Sequence, residues 1–241
     1  MIRVRGSEGI YQIDGRVQDG TFHGRWHFSF GNYSEAAFAH FGVMRVFNDD
    51  TLSPGAVWPL HLHHEIEVVT YCAGGEFRHA DERGPGGVLT QGGVQHTTVG
   101  QGMWHSEINN RMDAPMRFIQ MWFHPSKKGL RPSVEQRRVD KAERTNKLLP
   151  LVSPIDKNAL YIYSDAMVFS SFCRSGNTLK YHLDDGRGVY AYVLEGGPVE
   201  VGTHAVKAYG SAMVTDERTI HIKAKADAEL LLVDVALKNG G

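Results

Sequence analysis

Gly55-Ala56-Val57-Trp58-Pro59-Leu60-His61-Leu62-His63-His64-Glu65-Ile66-Glu67 is answered, beyond a glycine-rich stretch, by His105-Ser106-Glu107. His61 and His63 stand two apart, and so do His105 and Glu107. On a β-strand, residues i and i+2 point to the same face. Each pair therefore offers two ligating side chains to one side of a sheet. If the two strands face each other inside a barrel, three imidazoles and a carboxylate converge. Such a donor set suits a divalent transition metal: iron, manganese, nickel, copper or zinc.

Two such pairs in a chain with thirteen histidines can arise by chance. The framing residues argue otherwise. The spacing Gly55-x5-His61-x-His63-x3-Glu67-x6-Gly74 matches the first motif of the cupin superfamily throughout. Gly93, Gly100, Gly102, His105 and Asn109 resemble the second motif. There is one extra residue after the first glycine, and Gly100 stands where proline is usual.

The chain of 241 residues suits one large all-β domain or two of ordinary size. Hydrophobic content is 41% and charged content 22%, ordinary for a globular protein. The net charge of −1 gives no long-range field toward nucleic acid or an anionic membrane. Cys72 and Cys173 lie far apart in apolar stretches and suggest no disulfide framework. The opening Met1-Ile2-Arg3-Val4-Arg5-Gly6 lacks the apolar run of a signal peptide, and no stretch approaches membrane-span length. A cytoplasmic location is the expectation.

Short β-rich runs recur between Gly, Asp and Asn punctuation, the pattern of a sandwich or barrel. Trp26 to Tyr33 is dense in aromatics and reads as packing between an N-terminal arm and the barrel. Val43–Phe47 reads as a strand ended by Asn48-Asp49-Asp50, which has turn chemistry. Asp81 to Gly87 reads as a polar loop, and Met116–His124 as the strand closing the first barrel. Charges then crowd between Pro125 and Pro154, including Lys127, Lys128, Arg131, Arg137, Arg138 and Arg144, as in a solvated connector. Strand-like runs resume after residue 155, but His182, His204 and His221 have no ligand spacing. The expected architecture is all-β, with two cupin domains (β-barrels of jelly-roll type) in tandem. These are an N-terminal domain 1–135 with the metal site, a charged linker 136–154, and a C-terminal domain 155–241 without ligands.

With these residues in hand, the chain resembles the pirin family of bicupins over nearly its whole length. Trp26-His27-Phe28-Ser29-Phe30-Gly31-Asn32-Tyr33 is similar to the family's N-terminal signature. Arg45-Val46-Phe47-Asn48-Asp49-Asp50 resembles its approach to the first motif, and Glu135-Gln136-Arg137-Arg138 the linker of bacterial members. The resemblance implies one divalent metal per chain on His61, His63, His105 and Glu107, with Fe(II) the first expectation and Cu, Mn, Ni, Co or Zn as others. Generic cupins use the carboxylate of the first motif instead, so Glu67 is the alternative ligand or a support behind the ligands. Leu62 replaces a usual proline, Gly93 an acidic residue, and His96 an aromatic. His96 is thus a candidate for reshaping the pocket mouth or reaching the site.

Some bacterial pirins resemble quercetin 2,3-dioxygenases. That resemblance implies ring cleavage of a flavonol-like aromatic substrate by O2 with release of carbon monoxide, and Glu107 as catalytic base. Pirins of higher organisms resemble iron-dependent, non-catalytic regulatory proteins. On that alternative, a protein partner replaces the substrate, and the basic residues of the connector are a candidate contact patch.

Overall fold

The computed structural model describes residues 1–82 and 84–237, so positions 83 and 238–241 of the expected domains lie outside the described residues. Strands dominate, all paired antiparallel, and the helical elements are single 3-10 turns. Four sheets form two barrels. In the first, a seven-stranded sheet runs in the order Ser133–Arg137, Val94–Thr98, Glu67–Gly74, Met116–Phe123, Met44–Leu52, Gly20–Trp26 and Tyr11–Val17. Its partner is a four-stranded sheet, Val57–His63, Met103–Asn109, Glu76–Asp81 and Gly84–Thr90. The second barrel has a six-stranded sheet centred on Arg187–Gly196 and Ala228–Ala236, and a four-stranded sheet beginning with Thr178–His182. This is the tandem cupin arrangement.

The chain crosses between barrels more than once. Ile2–Arg5 pairs with Ser211–Thr215 of the second barrel. Ser133–Arg137 pairs with Val94–Thr98 of the first, and Leu149–Val152 with Ala166–Cys173 of the second. Between them, Arg137 donates to the Pro150 and Asn158 carbonyls at 3.1 and 2.7 Å. Arg144, from the charge-rich stretch, is buried and ion-paired with Glu229.

The two large sheets lie back to back. The run Met116–Phe123 explains how. Its odd positions Ile119, Met121 and Phe123 join a core with Tyr190, Tyr192, Leu231 and Val233 of the second barrel. Its even positions Met116 and Phe118 pack inside the first barrel. A strand buried on both faces is apolar on both rather than alternating, and this one reads so apart from Arg117 and Gln120. The seam also holds polar anchors. Asp49 accepts two bonds from Arg117, at 2.8 and 2.6 Å, and one from the Tyr192 hydroxyl. His27 is fully buried and shares a hydrogen bond with the Tyr190 hydroxyl.

Two sequence expectations change. Asn48-Asp49-Asp50 is strand interior, not a turn: Met44–Leu52 continues through it, paired with Met116–Phe123 and Gly20–Trp26. Turn propensity yields here because strands paired on both sides satisfy the backbone of the run, while Asp49 takes Arg117 and Asp50 takes Trp26. Gly84 to Gly87 likewise belongs to a hairpin strand rather than a loop. The glycine pair at 74–75 does turn the chain, with Gly75 at φ +73°. A Cβ there would sit 2.5 Å from the Pro115 carbonyl oxygen.

Candidate metal centre

His61 and His63 project from the edge strand Val57–His63, and His105 from the adjacent Met103–Asn109. The register sets His105 opposite His61. Their ring centroids are 4.5 Å apart, with His63 at 4.7 Å from His61 and 5.1 Å from His105. One nitrogen from each lies within 4.8 Å of the others, the spacing expected around a common ion.

The tautomers favour that reading. His61 Nδ1 lies 2.7 Å from the Pro59 carbonyl, so Nδ1 carries the proton and Nε2 presents its lone pair. His63 Nε2 and His105 Nε2 are buried without a hydrogen-bond partner. Orphaned buried nitrogens are costly, and a metal ion would satisfy them. Burial, then the neighbouring imidazoles, lowers His63 to about 4. Burial and His61 lower His105 likewise to about 4. Both rings are neutral at pH 7, the form that ligates. These residues fit a divalent transition metal.

Glu107 follows His105 on the same face, with Oε1 at 3.9 Å from His105 Nε2. A bulge intervenes: His105 pairs with His61, but Glu107 pairs with Trp58. The extra residue falls at Pro59 and Leu60. Proline has no N–H to give the ladder and collects at such places. Glu107 is 3% exposed; its Oε2 has no partner, and its Oε1 accepts from Gln120 Nε2 at 2.7 Å.

Glu67 is not brought to this cluster. Its Oε2 accepts from Thr98 Oγ1 and the Tyr163 backbone N–H, both at 3.1 Å, and pairs with His96 Nε2 at 2.8 Å. Tyr163 belongs to the second half, so Glu67 and His96 anchor the seam. The histidine standing behind the cluster is His79, whose ring is 5.5 Å from His105.

His61 and His63 open onto a cavity of about 80 Å³. Glu107, Asn48, Asp50 and Gln120 give it further polar groups. Phe30, Trp58, Phe118 and Trp122 supply the apolar lining. Sequence reasoning missed Asn48, Asp50, Gln120 and Phe30. Gln120 interrupts the apolar run Phe118–Phe123, on the same face as Phe118 and Trp122, and that was the available signal for it. Asp50 is 5% exposed and accepts from Trp26 Nε1 at 3.2 Å. Burial, with Asp49 and Glu107 adding to it against the Trp26 hydrogen bond, pushes its carboxyl up to about 8. No helix among the described residues is long and apolar enough to cross a membrane.

Comparison with known proteins identifies the family. The pirin family model matches residues 12–123, and a quercetinase C-terminal cupin domain model matches residues 151–235. A pirin-like protein of Caulobacter vibrioides is 35% identical over 224 residues, 92% of this chain and 96% of that protein. A quercetin 2,3-dioxygenase of Escherichia coli is 31% identical over 211 residues, 87% of this chain and 90% of that protein. The nickel(II) complex of the bacterial pirin YhhW from Escherichia coli superposes with a TM-score of 0.90 at 26% identity, covering 98% of this chain and 99% of that one. Two cupin barrels in one chain, a histidine cluster in the first of them and this likeness along the full length lead to one conclusion: the chain belongs to the pirin family.

Proposed function

We propose that this pirin is a metal-dependent dioxygenase acting on a quercetin-like flavonol. The observation that carries the reading is a cluster of three imidazoles, two of which, His61 and His63, line an aromatic-walled cavity. His61, His63 and His105 would hold the metal, with Glu107 beside them, and Fe(II) is the ion we assign. When bound, such an ion supplies Lewis acidity toward a substrate hydroxyl and the redox centre for O2.

The chain's own groups do the rest. Glu107 Oε2 accepts the proton of the substrate hydroxyl, since that oxygen is buried and unpartnered. Trp58 and Phe118 flank a planar ring, and the apolar lining keeps bulk water from the reacting edge. A water needs roughly 10–15 Å³ of such space. The cavity therefore takes a few waters or the reacting edge of one ring, and the remainder of a three-ring flavonol lies in the mouth.

The test is oxygen uptake by iron-loaded protein given quercetin, with His61→Ala as control. Uptake that depends on iron and is lost in the variant supports the dioxygenase. Stoichiometric metal binding without uptake on any flavonol would overturn it in favour of the regulatory reading.

A further inference from the structure

Glu107 is held from behind by two side chains of one strand. Gln120 and Trp122 are two apart on Met116–Phe123 and face the cavity together. The Trp122 indole nitrogen is a donor only. It lies 2.9 Å from Gln120 Oε1, so the amide oxygen is turned toward the indole. The amide NH2 must then face the other way. There it meets Glu107 Oε1 at 2.7 Å.

This settles the roles of the two Glu107 oxygens. An NH2 group only donates, so Oε1 is the acceptor in this bond. Oε2 is buried and has no partner. The same indole packs edge-on against the His63 ring, with centroids 4.6 Å apart at 70°. Phe30 also packs edge-on against it, with centroids 5.3 Å apart. One tryptophan thereby fixes a histidine of the cluster and, through Gln120, the carboxylate beside it.

We propose that Gln120 and Trp122 are positioning residues of the metal centre. They orient Glu107 with Oε1 engaged and leave Oε2 for the metal or the substrate proton. This rests on the reading of Glu107 as a metal-centre residue. Partners of this kind orient ligands before the metal arrives, and losing one weakens metal binding by 10–100-fold in general.

The test uses nickel(II) affinity by chelator competition on the full chain, for wild type, Glu107→Ala, Gln120→Leu, Trp122→Phe and the double variant Glu107→Ala/Gln120→Leu. Gln120→Leu should weaken binding roughly tenfold or more. Trp122→Phe keeps the ring, removes the N–H and should weaken it less. The decisive readout is the double variant: in the Glu107→Ala background, Gln120→Leu should have no further effect, since its action passes through the carboxylate. Equal losses in both backgrounds, or none in either, would overturn the proposal. Unchanged affinity in Glu107→Ala alone would refute the role of Glu107 itself and take the proposal with it, a failure separable from that of Gln120. Retained melting temperatures in Gln120→Leu and Trp122→Phe separate positioning from unfolding.

Discussion

Asp50→Asn in the metal-free protein should change how stability depends on pH. Asp50 is buried in the cavity wall with the Trp26 N–H as its hydrogen-bond donor, while its neighbour Asp49 takes Arg117. Its carboxyl is raised to about 8, against about 3.9 in an unfolded chain. Between those values the folded protein holds a proton that the unfolded chain has released. Unfolding then becomes easier as pH rises, by about 1.4 kcal/mol per pH unit. This contribution is fully present below about pH 4 and is lost progressively up to pH 8. From pH 5 to pH 7 the loss from this group is about 2.7 kcal/mol. Asparagine has the same shape, a donor and an acceptor, and no proton to lose. Urea unfolding followed by tryptophan fluorescence, with chelator present, should show the variant gaining that amount on wild type between pH 5 and 7. Other titrating groups are common to both proteins and cancel. Parallel stability curves would show that Asp50 is ionised at neutral pH. Bound metal, a nearby positive charge, should shrink the difference.

Other expectations are more direct. His61→Ala or His105→Ala should lose metal from a stoichiometry of one per chain while circular dichroism stays unchanged; full metal content in both variants would refute the site. Arg117→Met leaves Asp49, fully buried, without its cation and should cost about 3–5 kcal/mol in denaturant unfolding. Adding Asp49→Asn should recover much of this, and a loss below about 1 kcal/mol would show the seam pair to be dispensable. His27 is lowered to about 3, by burial first, with Arg5, Arg25 and Arg117 adding to it against Asp49. Its neutral ring stabilises the fold fully above pH 6.5, and that stability drains as pH falls toward 3. His27→Gln should therefore flatten the acid limb between pH 6.5 and 4 by up to about 1.4 kcal/mol per unit. An unchanged slope would mean that His27 charges without unfolding the seam.

The sequence by itself determined what is local. Two-residue spacing on a strand fixes which side chains share a face, so His61, His63 and His105 were legible before any fold was known. Short apolar runs between turn residues gave the all-β class, and the glycine and histidine spacing gave the cupin barrel. Tertiary structure decided wherever parity had to cross a break. Glu67 shares the odd parity of His63, but Glu65 between them adopts φ +49°. The two strands belong to different sheets, and Glu67 turns to the seam. Pro59 breaks the ladder opposite Glu107 in the same way. Asn48-Asp49-Asp50 carries the local signature of a turn, yet sheet pairing on both sides holds it extended. Alternation then sends Asp49 to Arg117 at the seam and Asp50 to the cavity. Gln120 joins Glu107 across more than a strand's width of sequence. No window of residues contains those pairings, because they are set by how two sheets close into a barrel and how two barrels meet.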